Sequence, residues 1–345
     1  FKHLIKINIM KKIISILLIT ISLFSFGQKK SKFAKGADIS WLPQMEATGY
    51  QFYNEKGEKD DALNILKSKG MDAIRLRVFV NPNDDRGSGH CSKDETIAFA
   101  KKLHKMGFRL MIDFHYSDSW ADPNKQYKPK AWENLNFTDL KKAVYDHTYD
   151  VIAAMKKENI TPEWVQIGNE IPNGILWPDG HSKNFKNLGE LLNVGYDAVK
   201  AVDKKIKVIV HIDEGNNTEK ITWFYKNVAE QKVKYDVIGL SYYPFWIKKD
   251  WTETIDDLQK NMNYLAKTYK KEVMIVEVGG EDYKVENTKN LLEATFKAVR
   301  NVPNKMGTGV FYWEPQGAKS WSGYGLSAWL ENGQPSPALD AFKEN

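Results

Sequence analysis

Val165-Gln166-Ile167-Gly168-Asn169-Glu170 and Val273-Met274-Ile275-Val276-Glu277 are two short runs, dense in Val and Ile, that each end in a glutamate. Such a run reads as a strand buried on both faces, the pattern of a parallel sheet. A carboxylate at the carboxyl end of such a strand leaves the core where α/β barrels carry their chemistry. A glutamate there can also simply cap a strand or hold a neighbouring arginine. Two of them in equivalent positions favour a working pair, of the acid/base and nucleophile kind that cleaves glycosidic bonds.

Working outward, strand-like segments open near Gly36, Ala73, Arg109, Trp164, Lys207, Asp236, Glu272 and Gly309. Each is followed by a helix-like stretch, at steps of about 30–55 residues that suit successive βα units. Eight such units predict an α/β fold, a single (β/α)8 TIM barrel over residues 36–345. Ser92-Lys93-Asp94-Glu95 is a capping box that opens one helix, and Gly107 follows its end. Residues 60–69, closed by Gly70, repeat that helix punctuation, and residues 188–202, 255–269 and 288–299 carry apolar stripes at helical spacing and read as core-facing helices. The interval from His115 to Glu163 is the longest between strands, and residues 116–136 are rich in Trp, Tyr, Pro and Asp. That loop is the expected substrate groove.

At the amino end, Met10-Lys11-Lys12, an apolar run over residues 13–26 and Ser25-Phe26-Gly27 have the layout of a secretory signal peptide. The run is shorter than the roughly 20 residues a spanning helix needs, so no membrane span is expected in the mature chain. Residues 1–27 are thus read as upstream sequence plus leader, and residues 28–35 as a polar remnant. Without residues 1–27 the formal charge falls from +6 to +2, because Lys2, Lys6, Lys11 and Lys12 go and no acid does. No electrostatic footprint for nucleic acid remains. A single cysteine, Cys91, excludes an internal disulfide, so a large core must hold the fold. The chain is expected to be an exported monomer, secreted, periplasmic or on the cell surface.

Nearly every predicted strand ends in polar or aromatic residues: Asp38-Ile39-Ser40-Trp41, Arg75-Leu76-Arg77, Asp113-Phe114-His115-Tyr116, Asn169-Glu170, His211-Ile212-Asp213, Ser241-Tyr242-Tyr243, Glu277 and Tyr312-Trp313-Glu314-Pro315. A barrel built for stability alone would not gather so many costly groups on one rim. The segments Gly36–Ser40, Ile74–Val78, Asp113–Pro123, Ala131-Trp132, Gln166–Ile171, Leu176-Trp177-Pro178, Ser241–Pro244 and Phe311–Pro315 resemble the endo-β-1,4-galactanases of glycoside hydrolase family 53 over almost the whole mature chain. The resemblance implies retaining hydrolysis of galactan or arabinogalactan, with Glu170 as acid/base, Glu277 as nucleophile and no cofactor. It also implies that Asn169 meets the sugar 2-hydroxyl, that Arg77 (or Arg75 on the same strand face) and Tyr243 attend Glu277, and that Trp313 floors the cleavage subsite. Asp113 and His115 would orient Glu170 or touch substrate, while Trp120, Trp132 and Trp177 are candidates for stacking on galactose. Retention predicts carboxyl groups about 5–5.5 Å apart.

The chain departs from that pattern at Trp41, where small polar residues are usual, and at Val278-Gly279-Gly280 after Glu277. Some bacterial relatives hold calcium after strand seven. Here Glu281, Asp282, Glu286 and Asn287 form no recognisable oxygen-ligand array, so no metal is expected. Three rival readings remain: a mannanase, xylanase or glucanase using the same glutamates; a metal-dependent hydrolase using Asp113, His115, His211 and Asp213; and an inactive sugar-binding protein.

Overall fold

The computed structural model describes residues 32–87 and 89–344. The signal-peptide reading, residues 1–27, lies outside the described residues. Eight parallel strands close into a barrel: β1 (Ala34–Asp38), β2 (Ala73–Val78), β3 (Arg109–Phe114), β4 (Trp164–Ile167), β5 (Lys207–Ile212), β6 (Val237–Tyr242), β7 (Glu272–Val278) and β8 (Gly307–Trp313), with β8 pairing back onto β1. The predicted strand openings hold to within two residues. β1 starts at Ala34, inside the stretch read as leader remnant, because Ala34 and Lys35 pair with Gly309 and Val310 of β8.

Helices cover the outside: α1 (Leu42–Ala47), α2 (Ala62–Ser68), α3 (Lys93–Lys105), α4 (Phe137–Lys157), α5 (Phe185–Val202), α6 (Thr218–Glu230), α7 (Ile255–Tyr269) and α8 (Val285–Arg300). Their starts follow from capping chemistry. Ser92 accepts from the Glu95 amide and completes the capping box of α3. Asn184 accepts from the Asn187 amide, so α5 begins at Phe185 rather than at the first apolar residue of its stripe, Leu188. Among the described residues no helix is long and apolar enough to cross a membrane.

Inside the barrel, side chains alternate and stack in layers. The bottom is apolar, built from Ala34, Ala73, Met111, Trp164, Ile209, Val237, Met274, Val276 and Phe311. Trp164 and Phe311 meet edge to face at 6.1 Å and leave little room opposite. A Cβ on Gly36 would lie 2.3 Å from the Phe311 ring. Gly36→Val is therefore expected to cost about 1–3 kcal/mol by overpacking, read as a lower thermal midpoint. An unchanged midpoint would mean that the interior has space to spare.

Strand β7 breaks the alternation. Leu240 of β6 pairs with Ile275, but the next partner, Ser241, pairs with Glu277. Val276 is the extra residue of a β-bulge. It stays in the apolar bottom, and Glu277, its immediate neighbour, also faces inward and reaches Arg75 across the barrel.

Candidate active site

Above the apolar bottom lies a layer of charge centred on Arg75, which is fully buried. Its Nη1 donates to Asp38 at 3.0 Å and to Glu277 Oε1 at 2.8 Å. Its Nη2 donates to Asp113 and to Asn169 Oδ1, both at 2.8 Å. One guanidinium thus ties together β1, β2, β3, β7 and the end of β4, with planar fork geometry suited to carboxylates. Burial alone would raise the Asp113 carboxyl, but Arg75 and His115 overcome it and hold the group below the usual range.

Glu170 follows β4 at a positive φ of 46°, a conformation a non-glycine residue adopts only when its surroundings hold it. Those surroundings are visible. Its amide donates to His211 Nδ1 at 3.3 Å, and its carbonyl accepts from Gln126 Nε2 at 3.3 Å. Because Nδ1 of His211 is an acceptor, Nε2 carries the proton and donates to Ser241 Oγ at 2.8 Å. Ser241 in turn donates to Glu170 Oε1 at 2.6 Å. Burial holds the His211 ring well below its ordinary pKa, with the nearby Arg75 adding to the effect, so it stays neutral.

The two glutamates differ in their company. Burial raises both, Glu277 to about 7 and Glu170 well above the carboxylate range. For Glu170 the charges of Glu277 and Asp213 add to burial. Glu277 has Arg75 at contact distance on one oxygen and the Tyr243 hydroxyl at 3.3 Å on the other. Glu170 accepts from the Ser241 hydroxyl, and the Arg75 charge opposes burial there as the smaller effect. Of the two, Glu277 ionises first and Glu170 keeps the proton.

Both carboxylates open into one cavity of about 560 Å³. The ends of β3 to β8 contribute its walls, with Trp120 and Trp313 on one side and Asp213, Glu214 and Trp246 among the other lining residues. The sequence profile of glycosyl hydrolase family 53 matches residues 34–290. The chain belongs to that family. It is a glycoside hydrolase. An endo-β-1,4-galactanase of Bacillus subtilis is 32% identical over 309 residues, covering 82% of this chain and 70% of its own length. An arabinogalactan endo-β-1,4-galactanase of Thermothelomyces thermophilus is 33% identical over 302 residues, 81% of this chain and 89% of its own. Among solved structures, the family 53 catalytic domain of Ignisphaera aggregans superposes with a TM-score of 0.83 at 31% identity, covering 92% of this chain and 97% of that one.

In this family 53 enzyme the residues singled out in the sequence separate into two sets. Glu170, Glu277, Asn169, Tyr243, Trp120 and Trp313 line the cavity. Arg77, Asp113, His115 and Trp177 do not. Arg77 does not attend Glu277. It pairs with Glu314 and, at 3.5 Å, with Asp38, and lies 4.2 Å beneath the Trp120 ring. Both arginines point inward because they are two apart on one strand, but only Arg75 sits at the height of Glu277. Asp113 is sealed under the floor. His115 donates from Nε2 to Asp113 at 3.0 Å and accepts from the Ala121 amide at 3.0 Å, fixing the loop that carries Trp120.

Trp177 has its face stacked on His181 at 5.2 Å and meets Tyr127 edge to face, while its indole N–H is held by the Asn173 carbonyl. Trp132 is 8% exposed and packs on His147, as core. Trp41 fills the space behind the wall, within 5.0–6.1 Å of Trp313, Trp120, Trp321 and Tyr324. Its indole and that of Trp120 both donate to the Gly87 carbonyl.

The four residues of the metal-dependent reading are spent elsewhere: His211 on Gln166, Glu170 and Ser241, Asp213 on Lys220 at 2.6 Å, and Asp113 and His115 on each other. Among the described residues no three His, Cys, Asp or Glu side chains converge to hold an ion. Reasoning from sequence missed Trp246 and Tyr324 as cavity residues. Tyr324 lies eleven residues beyond Trp313, the last residue of β8, and folds back to line the cavity. No periodicity marks that return.

Proposed function

We propose that this enzyme is an exported endo-β-1,4-galactanase that hydrolyses galactan or arabinogalactan with net retention, acting as a monomer. The observation that carries the reading is the unequal pair: a carboxylate braced by Arg75 and a carboxyl held neutral by burial and negative neighbours, both facing one cavity. The galactanases among its relatives supply the substrate class.

In the first step Glu277 attacks the anomeric carbon while Glu170 passes its proton to the glycosidic oxygen, and an ester to Glu277 forms as the bond breaks. Glu170, now ionised, takes a proton from water, which attacks the same carbon and frees Glu277. Asn169 spends one side-chain N–H on the Ala121 carbonyl. The other is available to the 2-hydroxyl, where a hydrogen bond strengthens toward the oxocarbenium-like transition state. Trp313 and Trp120 offer apolar faces to the sugar rings. Product sizing on β-1,4-galactan set against mannan, xylan and cellulose tests the substrate assignment. Preference for any of the other three polymers overturns it.

Activity needs Glu277 ionised and Glu170 protonated, so the alkaline limb of the pH profile follows the loss of the Glu170 proton. Burial, then Glu277, then Asp213 hold that proton on. Asp213→Asn removes a negative charge, weakens the hold, and is expected to move the alkaline limb of kcat/KM to lower pH. A limb that stays put, or moves up, contradicts the assignment of Glu170 as the acid.

A further inference from the structure

Two large aromatic side chains beside the site pack largely on each other and face water. Phe245 and Trp246, 41% and 62% exposed, sit on the helical turn Pro244–Ile247 directly after Tyr243. Their rings meet edge to face at 4.8 Å, so the pair forms a ridge of contiguous apolar surface in water. Single exposed aromatics are ordinary. A contacting pair on the rim of a carbohydrate cleft is surface that a pyranose C–H face would cover.

The ridge divides two cavities. Trp246 lines the catalytic one. Phe245 lines a second, of about 360 Å³, walled also by Trp251, Gly279, Glu281, Asn287 and Lys248. The partition between them is thin. A Cβ on Gly279 would lie 3.0 Å from the Tyr243 ring and 3.3 Å from the Tyr324 hydroxyl, both residues of the catalytic cavity. Three lysines (Lys248, Lys249, Lys284) and two acids (Asp250, Glu281) line the second cavity, and Lys284 pairs with Glu281 at 2.7 Å, so no strong single-sign field awaits an anion. An aromatic face surrounded by donors and acceptors of both signs suits a neutral, hydroxyl-rich ligand.

We propose that the second cavity is a distal sugar-binding site, reached by the galactan chain as it passes from the catalytic cavity over Trp246 and Phe245. The proposal rests on the galactanase reading and adds a determinant of chain length to it.

The test is kcat/KM on β-1,4-linked galacto-oligosaccharides of increasing length, for the parent enzyme, Phe245→Ala and Phe245→Tyr. Phe245 is exposed and lines the second cavity and not the catalytic one, so the alanine variant is expected to fold and to keep short-chain turnover. The ratio of long-chain to short-chain kcat/KM should fall about tenfold in Phe245→Ala, the scale of one lost stacking contact, and should be kept in Phe245→Tyr. An active parent whose ratio Phe245→Ala does not move overturns the distal site alone, as does an equal loss on short and long chains. A parent that cleaves no galactan of any length overturns the functional reading and this site with it.

Discussion

Glu277→Ala should lower galactan hydrolysis by roughly 10⁴-fold or more, the scale of losing a covalent nucleophile. The variant should still fold, because Arg75 keeps Asp38 and Asp113 as partners. What it leaves is a small hole beside a cation, a place where a small anion is stabilised. Azide should therefore restore part of the rate on an activated substrate by attacking from the vacated side, and the product should be the inverted α-galactosyl azide. Product configuration by NMR is the decisive reading. A variant within tenfold of the parent on galactan would remove Glu277 from the mechanism.

Glu170→Ala should separate substrates by their leaving groups. Galactan, whose departing sugar oxygen must be protonated, should lose roughly 10²–10⁴-fold. An aryl galactoside with an acidic phenol departs without that proton, so its bond-breaking step should lose far less. Burst kinetics should then show the glycosyl-enzyme accumulating, because water attack still lacks its base. Equal losses on both substrates would show that Glu170 acts by position or charge and not by proton transfer. The hydrogen bond from Ser241 and the chain behind it to His211 fix the Glu170 carboxyl without placing a cation on it.

Much of this was legible in the residues. Runs of Val and Ile doubly buried in a parallel barrel have a strong signature, and the strands begin within two residues of where those runs do. The two glutamates were legible because a charge at the end of such a run has no packing reason to be there. The choice between Arg75 and Arg77 was not, since alternation places both inside and only the height of the facing residue decides. Trp177 and Trp246 show the same limit. An indole is equally suited to core and to sugar, and what separates them is whether neighbours such as His181 and Tyr127 already occupy its surroundings. Those neighbours arrive from loops whose paths no local pattern encodes.

The extra residue in β7 gives the chain an unusual arithmetic. Val276 and Glu277 both turn inward, so one strand sends two successive side chains into the interior. Deleting Val276 would restore strict alternation, with Glu277 still opposite Ser241 and facing Arg75, but would leave the apolar bottom one side chain short. The inserted residue therefore lets a single strand fill the interior and present a carboxylate above it at the same time.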